Sequence, residues 1–154
     1  MPFLCLLNMK IRIKKVNQNI NSIIPAYATE NSSGMDLSSA SENDIILNPM
    51  QTVLIPTNYV IEVPHGFEAQ IRPRSGLGLK HNIGIINSPG TIDADYRGEL
   101  KILLTNFGNK PYTVKFGDRI AQLVISSVEK AELLVVEDIT DTKRSSGGFG
   151  HTGI

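Results

Sequence analysis

The stretch NSPGTIDADYRGEL, residues 87–100, carries more chemistry than a connector needs. Asp93 and Asp95 are two residues apart, so in a strand they share a face. Paired acids on one face suit either metal binding or proton abstraction. Tyr96 adds a flat wall with a hydroxyl, and Pro89-Gly90 and Arg97-Gly98 bracket what reads as a short hairpin arm. RPRSGLGLK, residues 72–80, has an anion-binding composition: guanidinium forks, a hydroxyl donor and backbone N–H groups unshielded by side chains. It lacks the Gly-Lys-Ser/Thr ending of a nucleotide-binding P-loop. In GMDL, residues 34–37, Asp36 stands between two apolar residues. If Met35 and Leu37 point inward, Asp36 points to solvent or to a site. In GDRIAQLV, residues 117–124, Gln122 sits among apolar residues, and a buried glutamine must be hydrogen-bonded. The chain ends in RSSGGFGHTGI, with too little apolar surface to fold alone. Taken singly, each stretch also reads as a solvated turn, a surface acid or a structural glutamine.

Alternating apolar runs must position these residues. MKIRIKKV alternates Met9, Ile11 and Ile13. TVLIPTNYVIEVP carries Val53, Ile55, Val60 and Val63, and EAQIRPRS carries Ala69 and Ile71. ELKILLTN puts Leu100, Ile102 and Leu104 on one face, and TVKFGDRIAQLVI resumes the pattern. AELLVVEDI, residues 131–139, reads as a last strand. Period-two runs separated by Gly, Pro and Asn turns imply half-buried strands in an antiparallel sandwich or barrel. Helix signal is scarce, the best of it at residues 77–81.

Composition narrows the classes further. A chain of 154 residues fits one domain, and with no tryptophan its core must be mainly aliphatic. The 15 basic and 15 acidic residues cancel, which argues against general affinity for duplex nucleic acid. A local cluster for a small anion remains open. The single cysteine, Cys5, excludes an intramolecular disulfide and fits a reducing compartment, the cytoplasm. Residues 3–7 are apolar but lack the flanks of a signal peptide, and no window reaches the length of a membrane span. Residues 1–8 read either as part of the chain or as an extension ahead of a start at Met9. His65 and His81 read as ordinary surface histidines.

In order, the five polar stretches resemble the five motifs of the trimeric dUTP diphosphatases, with PRSGLGLK, GTIDADYRGEL and GGFGHTG nearly intact. The resemblance implies one jelly-roll-like, all-β domain over residues 1–140 and a flexible C-terminal lid over residues 141–154. It implies a homotrimer with active sites at subunit interfaces, hydrolysing dUTP to dUMP and pyrophosphate with Mg²⁺. By resemblance, Asp93 is the general base for water attack on the α-phosphate. Gln122 lies near that phosphate and the water, and Asp36 acts on the metal's waters. Arg74, Ser75 and Gly76 form the phosphate turn. Asn87 binds uracil, helped by main-chain groups of Gly90, Thr91 and Ile92. Tyr96 packs under the sugar and leaves no room for a 2′-hydroxyl, and Lys101 is a further substrate-binding position. In the lid, Arg144 and Thr152 grip the γ-phosphate beside Gly150, and Phe149 stacks on uracil. The metal is held by phosphates and water, with no direct protein ligand. Ser145 and His151 depart from the family's common glycine and serine, which leaves the γ-phosphate contacts open.

Two rivals come from the same fold. By resemblance, a dCTP deaminase, or a bifunctional deaminase–diphosphatase, has a glutamate beside the pyrimidine ring and a different phosphate turn, and Glu99 lies too far along the stretch. A binding protein that lost its chemistry predicts damage at Asp93 or in the tail, where both are intact.

Overall fold

The computed structural model describes residues 9–148. Its strands are β1 (Arg12–Lys15), β2 (Ala26–Tyr27), β3 (Met35–Ser38), β4 (Ile45–Leu47), β5 (Thr52–Pro56), β6 (Tyr59–Glu62), β7 (Phe67–Arg72), β8 (Ile83–Ile85), β9 (Gly90–Ile92), β10 (Lys101–Asn106), β11 (Tyr112–Val114) and β12 (Arg119–Ser127). One helix, α1 (Ser75–His81), lies between β7 and β8. Every strand pairing is antiparallel. A five-stranded sheet has the order β2-β3-β12-β7-β9, and a three-stranded sheet has the order β5-β10-β8. Two-stranded pairs, β1-β6 and β11-β4, complete a jelly-roll-like β-fold.

Alternation builds the core as the sequence pattern requires. Leu37, Ala69, Ile71 and Leu123 from the five-stranded sheet share one apolar cluster with Ile55, Ile83, Ile85, Ile102 and Leu104 from the three-stranded sheet. The two sheets supply most of this aliphatic core, as in a sandwich, and Leu47, Ile61, Val63, Leu100 and Val114 complete it from outside them. Gly117 closes the turn before β12 at φ +83°, a conformation a Cβ would strain. Helix α1 begins two residues earlier than the apolar signal and ends where Asn82 takes the left-handed conformation.

Two strand expectations need correction. The first strand is present as β1, but of its alternating residues only Ile11 packs against the core, and Met9 and Ile13 are exposed, at 41% and 40%. Residues 131–139 form no strand. Leu133, Leu134, Val135, Val136 and Ile139 are between 57% and 101% exposed. A strand needs a neighbour's ladder as well as its own pattern, and none among the described residues meets this segment.

Candidate active site

Asp36 lies on β3 between half-buried Met35 and buried Leu37, so its carboxylate leaves the core side as expected. It meets two guanidinium groups. Arg74 Nε is 3.1 Å from Oδ1, and Arg119 Nη1 donates to Oδ2 at 3.0 Å. Arg74 Nη1 also donates to the Arg119 carbonyl at 3.1 Å. Two cations around one anion leave a net positive, pre-arranged cluster, suited to a polyanionic ligand.

Each neighbour has a local reason to be there. Arg74 precedes α1 and caps it in an extended conformation without a side-chain cap bond. Ser75 and Gly76 open that helix, where the first N–H groups have no intrahelical acceptor. A Cβ on Gly76 would meet nothing within 4 Å, so the protein's own packing leaves this side open. Gln122 stands directly opposite Asp36 across β3 and opposite Arg72 across β7. Its Nε2 donates to the Pro73 carbonyl at 3.3 Å, which satisfies the half-buried amide.

Arg119 is a site residue that period-two reasoning conceals. Arg119 and Gln122 are an odd number of residues apart, so a regular strand would put them on opposite faces. A register shift between Arg119 and Ala121 pairs Arg119 with Ser38 while Gln122 pairs with Asp36. The extra residue brings both side chains to the Asp36 face, and Ile120 and Ala121 are both buried in consequence. The Gly117-Asp118 turn just ahead is the one sequence signal that could have pointed there.

The second group lies elsewhere on the same sheet. Asn87 is exposed between β8 and β9. Gly90 is tightly packed: a Cβ would come within 3.2 Å of Asn87 Nδ2 and 3.3 Å of Ile71 Cβ. Thr91 faces outward opposite Gln70, and Ile92 is half-buried opposite Ala69. Asp93, Asp95 and Tyr96 are exposed beyond the end of β9. The hairpin expectation is therefore corrected. β8 pairs with β10 and β9 pairs with β7, and the chain after Ile92 turns, with the Tyr96 N–H bonded to the Asp93 carbonyl at 3.1 Å. The same-face argument for Asp93 and Asp95 does not apply in a turn. Arg97 Nη1 braces this turn through the carbonyls of Ala94 and Tyr96, at 2.7 and 2.8 Å. Lys101 Nζ lies 3.6 Å from Glu99 Oε2.

The two groups lie apart along β7. Ile92, the residue before Asp93, stands opposite Ala69, three positions from Arg72 along β7, or about 10 Å at strand rise. Among the described residues no ion pair links the two groups. Arg144 is outside both, its Nε bonded to the Gly147 carbonyl at 2.8 Å. Phe149, Gly150 and Thr152 lie outside the described residues, as do residues 1–8.

The dUTPase family model matches residues 21–153. The chain belongs to the dUTPase family. Its relatives include the deoxyuridine 5′-triphosphate nucleotidohydrolase of Ehrlichia canis, 55% identical over 150 residues, spanning 96% of this chain and 98% of the relative. The protein of the same name from Cytophaga hutchinsonii is 52% identical over 146 residues, spanning 95% and 94%. The fold matches a variant dUTPase of Staphylococcus bacteriophage 80alpha with dUpNHpp, at TM-score 0.85 and 25% identity over 94% of this chain and 99% of that one. It also matches a variant dUTPase from phage phi11 of S. aureus, solved to describe the coordination of a structural Mg(II) ion, at TM-score 0.77 and 24% identity over 86% and 100%. The dUTPase jelly roll and the Asp36–Arg74–Arg119 cluster thus occur in one chain. No helix among the described residues is long and apolar enough to cross a membrane.

Proposed function

We propose that the protein is a dUTP diphosphatase that hydrolyses dUTP to dUMP and pyrophosphate, as a cytoplasmic homotrimer whose sites are shared between chains. The observation that carries this reading is the Asp36 clamp on Arg74 and Arg119 beside Gln122, in a chain of this family. Phosphoryl transfer asks a protein mainly for positioning and charge stabilisation. Arg74, Arg119 and the Ser75-Gly76 turn hold the phosphates. Gln122 orients the water at the α-phosphorus, and Asp93 accepts the water's proton. The new P–O bond forms as the α–β bridging bond breaks, and pyrophosphate leaves. Asn87 and the main chain of Gly90, Thr91 and Ile92 read the uracil edge, Tyr96 supports the sugar, and Lys101 flanks the substrate. The lid of residues 141–154, with Arg144, Phe149, Gly150 and Thr152, covers the triphosphate and excludes water other than the nucleophile.

Among the described residues no group of three or more His, Cys, Asp or Glu side chains converges on a metal position. Mg²⁺ favours phosphate and water oxygens, so the residues fit a metal that arrives with the triphosphate and neutralises its charge. Asp36 Oδ2 accepts from Arg119 while Oδ1 faces Arg74 Nε as an ion pair, and each oxygen keeps a lone pair for a metal-bound water.

In this reading Asp93 and Tyr96 of one chain act on the same nucleotide as Arg74 and Gln122 of a neighbour. The exposed apolar residues 133–136 and Ile139 support the same assembly, since each apolar side chain buried against a partner stabilises it by about 1.5–3 kcal/mol.

The test is pyrophosphate release from dUTP, UTP, dCTP and dTTP in parallel, with Mg²⁺ and with EDTA. Mg²⁺-dependent release from dUTP alone is expected. Release spread across the four would overturn the roles of Asn87 and Tyr96, and ammonia release from dCTP would favour a deaminase.

A further inference from the structure

The turn after β9 contains a device that the roles above leave unassigned. The Tyr96 ring lies across the bare backbone of Gly98. A Cβ at Gly98 would overlap the Tyr96 hydroxyl and Cζ, and would stand 2.9 Å from Cε2. The φ of Gly98 is not positive, so its conformation does not call for glycine. The ring alone does. The Tyr96 hydroxyl then donates to the Glu99 carbonyl at 3.2 Å. The ring is itself 44% exposed. What holds it is the peptide beneath it.

That peptide is fixed from behind. Glu99 Oε1 accepts the N–H of Asn58 at 2.8 Å. Asn58 is buried in the β5–β6 turn, at φ +66°. The Leu100 N–H donates to the Tyr59 carbonyl at 2.8 Å, and the Leu100 carbonyl accepts from Thr57 Oγ1 at 2.6 Å. The support under Tyr96 is therefore tied to a buried turn, while the ring has one exposed face.

We propose that Gly98 and the anchored Glu99 form a specificity-determining rest that sets the position of the Tyr96 ring and thereby the exclusion of a ribose 2′-hydroxyl. Neither residue touches the substrate. Both act through Tyr96, and the inference rests on the reading of Tyr96 as the sugar platform. A side chain at Gly98 pushes the ring off its rest. A displaced ring no longer closes the space beside the sugar 2′ carbon, which admits ribose. The ratio of kcat/KM for dUTP to that for UTP therefore falls.

The experiment measures that ratio and the melting temperature for Gly98→Ala, Tyr96→Ala, Glu99→Ala and Glu99→Gln. Gly98→Ala is expected to lower the ratio on the order of 10-fold, the scale of a small steric misfit in a pocket. Its melting temperature stays near wild type, because an exposed ring yields without disturbing the core. Glu99→Ala should lower the ratio too, and Glu99→Gln should restore it, because an amide oxygen can still accept the Asn58 N–H. The Glu99 pair decides the matter if Gly98→Ala does not fold. An unchanged ratio in Gly98→Ala, or in Glu99→Ala where the glycine variant is unfolded, overturns the rest if Tyr96→Ala still lowers it. If Tyr96→Ala also leaves the ratio unchanged, the sugar reading itself falls and this inference with it.

Discussion

Asp93 and Asp36 are both carboxylates, yet their surroundings give them different work. Asp36 is gripped by two arginines and is spoken for as a counter-charge. Asp93 has no ion-pair partner among the described residues and stands exposed, available to a water. Replacing Asp93 by Asn keeps the shape and removes the proton acceptor. Turnover should fall by at least ~10²-fold, the scale of a lost general base, with dUTP binding by calorimetry nearly intact. Near-normal turnover would take the base role away from Asp93. Tyr112 gives a prediction about stability. Burial raises its phenol above the ordinary value of 10.0, Asp118 adds to the rise, and Arg74 opposes it. The fold thus favours the neutral phenol. Its contribution is fully present below pH 10.0 and is lost as pH rises from there through the folded value. Urea titrations at pH 9 and pH 11 should show wild type losing more stability than Tyr112→Phe over that interval. Equal losses would mean that the phenol titrates alike in both states.

At the scale of elements, the bulge in β12 and the glycine at the mouth of β3 do the positioning. Gly34 packs against β12 so closely that a Cβ would lie 3.0 Å from Gln122 Oε1, 3.2 Å from Gln122 Cβ and 3.3 Å from Val124 Cγ2. The glutamine Cβ cannot step aside as a flexible tip could, so Gly34→Ala must push on the strand. We expect a loss of about 1–3 kcal/mol by overpacking and a fall in kcat larger than the rise in KM. Adding Gly34→Ala to a Gln122→Ala variant should cost little further turnover if the glycine acts through that side chain; an additive loss would separate them. The same strands show what was legible in advance. β5, β7, β10 and β12 were readable because one face of each is buried in the core, while β6 is buried on both faces and shows as an apolar run. β2, β4 and β8, of two or three residues each, are too short to display a period. Arg119 was hidden because alternation fails at a bulge. Asp93 and Asp95 were misread as a strand pair because β9 stops at Ile92, and nothing in their types marks that end. The identity of the site stretches rested on motif resemblance. Spacing alone left each of them open to a plain structural reading.

For the whole molecule, the open question is what covers an apolar segment that no ladder among the described residues meets. Residues 131–139 read as a strand through the continuous apolar run Leu133 to Val136, but an apolar run says nothing about which chain supplies the ladder. Val135 is fully exposed, and Leu133 and Ile139 nearly so, at 89% and 86%. A contiguous apolar segment of this kind marks an association surface, and closed symmetry lets every copy bury it identically. Ending the chain after Lys130 should therefore yield monomers by light scattering and abolish activity. Ending it after Asp141 should leave the assembly intact and cripple catalysis through the lid alone. Monomers from the second truncation would make the tail structural. Loss of the assembly does not by itself prove that the site is shared, since monomers could be inactive for other reasons. Mixing does. Asp93→Asn and Arg74→Ala chains are each expected to be inactive alone. Unfolded together and refolded in equal amounts, they form mixed assemblies. If Asp93 and Arg74 of one site come from different chains, about a quarter of the sites receive both native residues, and activity returns to about that fraction of wild type. If both residues of a site come from one chain, every site keeps a lesion and the mixture stays inactive.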